Sequence, residues 1–166
     1  MSRFIGFVGR FTLLHVLTYA LFGLLFMNIS NYAEAFSQPP LNQLMRPVDD
    51  PRIVWGVPMQ LLRGALLGAA FFPFRAGMLD GRWGWVKLWA LLWVWTGIAS
   101  VSPGPGTLEG WIYSTIGFGD PRIGLPEITT QMLTFSWLLW LWERRRARRT
   151  PAQAGGDHIQ AQSAAS

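Results

Sequence analysis

The chain has 166 residues, of which 51% are hydrophobic and 14% charged; ten are Trp and the net charge is +5. Four windows are long enough to cross a bilayer core of about 30 Å, which takes about 20 residues of helix, and too little polar sequence remains to cover that much apolar surface in water. The absence of Cys excludes disulfides, thiolate metal sites and cysteine nucleophiles, and two His exclude a histidine-rich metal cluster, so no metal or cofactor is expected.

The pattern predicts an all-α fold, an integral membrane four-helix bundle occupying residues 1–143, with spans at about 4–28, 53–74, 84–101 and 125–142. In the first span Thr12, His15 and Tyr19 are spaced i, i+3 and i+7 and share one helix face near the middle of the bilayer. Such a polar stripe faces protein or water, and His15 there reads as a neutral imidazole hydrogen-bonded between helices, with a proton relay as the alternative. Arg3 and Arg10 before an apolar stretch, with Ala33-Glu34-Ala35 after it, also resemble a signal peptide, but the stretch is long for one. The segment 28–52, with Pro39-Pro40, Pro47 and Pro51, is expected to be irregular with short helical pieces, and a lid over the outer mouth is one role open to it.

The second span holds Arg63, which lies about 16 Å in from Arg52 and so near the midplane. A guanidinium there needs an acid, carbonyls or water, and Glu109 and Glu127 are the acids expected to reach it. Gln60 stands one turn away, while Gly64 and Gly68, with Ala65 and Ala69, form a small-residue surface for a neighbouring helix. The third span is the shortest and carries a ridge of Trp85, Trp89 and Trp93; Trp137 and Trp140 form another on the fourth, and both read as packing and interface anchors. Pro126 before Glu127 suits the first turn of the last helix, where an acid complements the dipole.

Ten Lys and Arg (Arg3, Arg10, Arg75, Arg82, Lys87, Arg144, Arg145, Arg146, Arg148 and Arg149) fall on one side if both termini are cytoplasmic, against Arg46, Arg52 and Arg122 on the other. That asymmetry orients the chain in a cell (inner) membrane, multi-pass, with both ends inside. The Arg144 to Arg149 run explains the positive charge as a topology anchor beside anionic lipids, not as a nucleic-acid surface. Residues 144–166 are expected to be a basic, disordered cytoplasmic tail.

Between the third and fourth spans, Pro103-Gly104-Pro105-Gly106 marks a turn, and Leu108 to Ser114 could form a short re-entrant helix. After it, Thr115-Ile116-Gly117-Phe118-Gly119-Asp120 resembles the selectivity filter of potassium channels. The resemblance implies that carbonyls of Thr115, Ile116, Gly117 and Phe118 coordinate potassium, with Gly119 and Asp120 at the outer mouth, and that four copies assemble. A second resemblance, carried by Glu109-Gly110, Tyr113 and Gly124-Leu125-Pro126-Glu127, is to small bacterial four-span membrane proteins.

Three functions follow. The first is a transport or accessory protein whose outer-side polar pocket is built from Gln60, Arg63, Glu109, Tyr113, Glu127 and Gln131, taking a small anion or lipid headgroup, moving protons, or docking a partner subunit. The second is a potassium-selective channel subunit. The third, a membrane-embedded enzyme acting on a lipid, is the weakest, because no catalytic nucleophile with its base can be assembled.

Overall fold

The computed structural model describes residues 2–39, 41–98 and 124–163, which are mainly helical and contain no strand. The elements are α1 (Ser2–Ile29), α2 (Tyr32–Ser37), α3 (Gly56–Phe71), α4 (Arg75–Leu79), α5 (Gly84–Trp93) and α6 (Leu125–Ser163). Two continuous helical stretches, Ser2–Ile29 and Pro51–Leu79, are long and apolar enough to cross a membrane.

Helix α1 runs without interruption because its 28 residues contain no Pro. It ends at Asn31, whose positive φ of 45° turns the chain into α2, a conformation that Asn tolerates better than most side chains. The second stretch begins with a 3₁₀ turn, Pro51–Trp55, whose cap is Asp50: its carboxylate accepts the Arg52 N–H at 2.8 Å. Pro58 falls in the first turn of α3, where its missing N–H leaves no helix bond unmade. Pro73 then tightens the chain into a second 3₁₀ turn, Phe72–Phe74, before α4. The expected loop 28–52 contains α2 and a 3₁₀ turn at Leu41–Gln43.

The third helix differs from its expected boundaries. Its α-helical part stops at Trp93, and Val94–Ile98 continues as a wider π turn; residues 99–101 lie outside the described segments. The last helix does not stop at Trp142 but runs through the basic segment and on to Ser163. Glu143 to Ala147 are strong helix formers, which carries the helix past the end of the apolar stretch.

Packing is pairwise and antiparallel. Helix α1 packs against α3 on one side and α6 on the other, and α5 packs against α6. The core is aromatic and aliphatic: Phe7, Phe11 and Leu14 from α1, Phe71 from α3, Leu88 and Leu92 from α5, Phe135 and Leu139 from α6. Phe11 meets Phe135 edge to face at 4.8 Å, a favoured geometry because the ring edge is positive and the face negative.

The small-residue surface of α3 is what α1 packs on. A Cβ at Gly64 would lie 3.1 Å from the Thr12 Cα, and one at Gly68 would lie 3.1 Å from the Phe11 Cβ. Only glycine lets the two backbones approach this closely. Among the described residues, helices α3 and α5 share no comparable contact.

Candidate functional site

Where α1, α3, α5 and α6 converge, Phe11, His15, Arg63, Leu67, Leu92, Thr96, Gln131, Met132 and Phe135 enclose a cavity of about 40 Å³. Its wall is apolar except for four side chains: His15, Arg63, Thr96 and Gln131. At about 10–15 Å³ per water-sized occupant, the space takes about three waters or one small anion.

Each polar side chain reaches the cavity through the local packing. His15 points at α3 because Gly64 leaves it room: a Cβ there would sit 3.2 Å from the His15 Cδ2. Its Nε2 is 2.9 Å from Oε1 of Gln60, which is buried. Because a carbonyl oxygen only accepts, this pairing places a proton on Nε2 and leaves Nδ1 without one in the neutral ring. Phe135 packs edge-on to the His15 ring with centroids 6.1 Å apart and holds its orientation.

Arg63 lines the cavity from α3 and is otherwise exposed. Among the described residues no carboxylate forms an ion pair with it. Glu127, expected to reach Arg63, is elsewhere. It accepts a hydrogen bond from the Tyr32 hydroxyl and lies over Gly23, two helical turns past His15. The antiparallel register of α1 and α6 fixes that separation at about 12 Å.

The sequence-predicted residues therefore divide. Arg63 and Gln131 line the cavity with His15, Gln60 joins them only through its hydrogen bond to His15, and Glu127 belongs to a second station. Glu109, Tyr113 and the filter-like stretch Thr115 to Asp120 lie outside the described residues. Of the α1 stripe, His15 alone lines the cavity. Thr12 donates to its own helix, to the Val8 carbonyl at 2.8 Å, and the Tyr19 hydroxyl lies 3.6 Å from where a Gly56 Cβ would be.

Sequence reasoning missed two partners. Tyr32 caps the second station: its hydroxyl donates a hydrogen bond to Glu127, and the Gly124 backbone also hydrogen-bonds its oxygen. Burial, then the Glu127 hydrogen bond and charge, push the Tyr32 phenol well above its ordinary ionisation range. At the opposite end Arg10 and Glu143 form a partly buried ion pair at 2.5 Å, with a second contact from Arg10 Nε at 2.6 Å. Acid and base of complementary depth, Arg10 eight residues into α1 and Glu143 just past the last apolar turn, were the only sequence signal for that pair.

No group of three His, Cys, Asp or Glu among the described residues could hold a metal ion. Comparison with known protein families, curated proteins and solved structures gives no match.

Proposed function

We propose that the protein is a multi-pass protein of the cell (inner) membrane, a four-helix bundle with both termini cytoplasmic, of transport or accessory type, and that its central polar cavity takes a small anion at Arg63. The observation that carries this reading is a guanidinium with no described acid partner on the wall of a cavity that also presents His15, Thr96 and Gln131. Arg63 is exposed at the rim of this cavity, and an anion entering there meets a guanidinium together with neutral donors, so that its hydrogen bonds are charge-assisted. The membrane placement is supported by the two spanning-length helices, of whose apolar windows only 11% and 17% is buried inside the fold. Their outward faces, including Leu13, Leu17, Leu21 and Leu24, need an apolar surrounding.

In this reading Arg63 supplies charge and donors, and Thr96 and Gln131 supply neutral hydrogen bonds that orient the ion. The Arg144 to Arg149 run contacts anionic lipids of the inner leaflet, and a second copy or a partner membrane subunit is the expected neighbour.

The test is anion-dependent thermal stability of the purified protein, chloride against gluconate, followed by chloride uptake into liposomes. Wild type gains stability and uptake with chloride, Arg63→Gln loses both, and Arg52→Gln on the exposed 3₁₀ turn keeps both. An Arg63→Gln protein that responds like wild type would sink the reading. Potassium-selective flux lost in Gly119→Ala would replace it with the channel, and turnover of a lipid by the purified protein would replace it with the enzyme.

A further inference from the structure

At the end of the fold that carries Arg10 and Glu143, the α4–α5 turn and α6 enclose an open groove of about 630 Å³, separate from the cavity at Arg63. Its lining carries two guanidiniums, Arg75 and Arg144, and two carboxylates, Asp80 and Glu143; Glu143 is paired with Arg10, and the Lys87 ammonium donates to the Gly77 carbonyl on the same wall at 2.7 Å. Each of the four is held in place. Arg75 stacks on the Phe72 ring at 3.7 Å and donates to the Phe72 carbonyl at 2.7 Å, which leaves most of its N–H donors for a ligand. Arg144 lies over the Trp140 ring at 4.9 Å, and Trp140 is itself fixed by donating its indole N–H to the Gly81 carbonyl at 3.0 Å. Asp80 uses Oδ1 to accept the Gly81 N–H, leaving Oδ2; Glu143 uses Oε1 for Arg10, leaving Oε2.

Two guanidiniums and two carboxylate oxygens in one groove match a ligand that carries an anion and a cation together. A plain anion would leave Asp80 Oδ2 and Glu143 Oε2 without a donor, and a plain cation would leave both guanidiniums without an acceptor. The groove's position narrows the choice: Phe74, Trp83 and Trp142 are exposed at the same end of the fold, and amphipathic aromatics collect at the headgroup level of a bilayer.

We infer that this groove binds the zwitterionic headgroup of an aminophospholipid, with Arg75 and Arg144 on the phosphate diester and Asp80 and Glu143 on the primary ammonium. The inference rests on the membrane placement proposed above, and not on anion binding at Arg63. A primary ammonium offers three N–H donors to the carboxylates; a trimethylated one offers none, so phosphatidylcholine has the charge and lacks the hydrogen bonds.

The test is lipid retention by native mass spectrometry, on full-length protein reconstituted in equal parts phosphatidylethanolamine, phosphatidylglycerol and phosphatidylcholine, with resistance to carbonate extraction measured on the same vesicles. Phosphatidylethanolamine is retained about fivefold over phosphatidylcholine, as expected for charge-assisted hydrogen bonds. Asp80→Asn keeps the Oδ1 acceptor of the turn and abolishes the preference, Arg144→Gln lowers retention of both, and Asp49→Asn and Arg52→Gln change neither.

Carbonate-resistant protein that retains phosphatidylcholine equally overturns the groove assignment and leaves the membrane placement standing. Preference that survives in Asp80→Asn, or retention unchanged in Arg144→Gln, overturns it as well. Displacement of the lipid by soluble phosphoethanolamine overturns the lipid as its source, and protein extracted by carbonate overturns the membrane placement and this site together.

Discussion

Substituting Gly64 by Ala tests whether the close approach of α1 and α3 holds the cavity together. The new Cβ would lie 3.1 Å from the Thr12 Cα, 3.2 Å from the His15 Cδ2 and 3.3 Å from the Thr12 Cγ2. Carbon atoms pack best at about 3.5–4.0 Å, so α1 has to retreat by roughly half an ångström. The nearest atom is backbone, which cannot rotate away. Overpacking of this kind costs about 1–3 kcal/mol, against the roughly 1 kcal/mol that Ala gains over Gly as a helix former. Gly77→Ala supplies the reference, because a Cβ there meets nothing within 4 Å. The two variants should therefore differ by about 2 kcal/mol in unfolding free energy, with Gly64→Ala the less stable. Reversible unfolding in mixed micelles, followed by Trp fluorescence, measures the difference. Because His15 is one of only two His, imidazole ¹⁵N spectra report in the same samples whether the Gln60 hydrogen bond has lengthened. If Gly64→Ala is as stable as Gly77→Ala and the His15 signal stays put, the α1–α3 contact is not tight and the cavity is not shaped by it.

Three further perturbations separate the polar stations. Arg10→Gln and Glu143→Gln should each cost about 2 kcal/mol, since the side chains are only 11% and 22% exposed, and the double variant should cost less than the sum; strict additivity in a double-mutant cycle would rule the pair out. Tyr32 is raised in the fold above its ordinary value of 10.0, by burial first and then by Glu127, so its stabilising contribution is complete below pH 10 and falls away as pH climbs toward its folded-state ionisation. Glu127→Gln removes the neighbouring charge and should bring Tyr32 ionisation to lower pH in an ultraviolet titration; an unshifted curve would refute the contact. Gly84→Ala should prevent the α4–α5 turn from closing, at a cost of about 3 kcal/mol or more, because its Cβ would lie 2.5 Å from the Leu79 carbonyl oxygen and 2.8 Å from the Trp140 Cδ1; native thermal stability in this variant would contradict the geometry.

Helix positions and the α3 small-residue face were legible because they depend on local spacing. Gly64 and Gly68 lie four residues apart on one face, and any helix that buries that face must come close. Arg63 and Gln131, read as neighbours in one pocket, share a cavity wall, while Gln60, read beside them, lies off that wall and bonds His15. The error over Glu127 has a different origin. Depth along the membrane normal made it a plausible partner for Arg63, but the partner of a side chain is decided by the register and rotation of helices, and Tyr32 is 95 residues away in sequence. The Arg10–Glu143 pair spans 133 residues and was hidden for the same reason. Helix ends were read less well than helices: the π turn at Val94–Ile98 and the run of α6 through Arg144 carry no change of hydrophobic pattern that would announce them.

The Glu127 and Glu143 contacts have a mechanical consequence. They lie 16 residues apart on α6, so the fasteners joining that helix to α1 and to the segment directly after it are about 24 Å apart. Two fasteners that far apart keep α1 from sliding along the apolar part of α6, so the two helices move as one rod over that length.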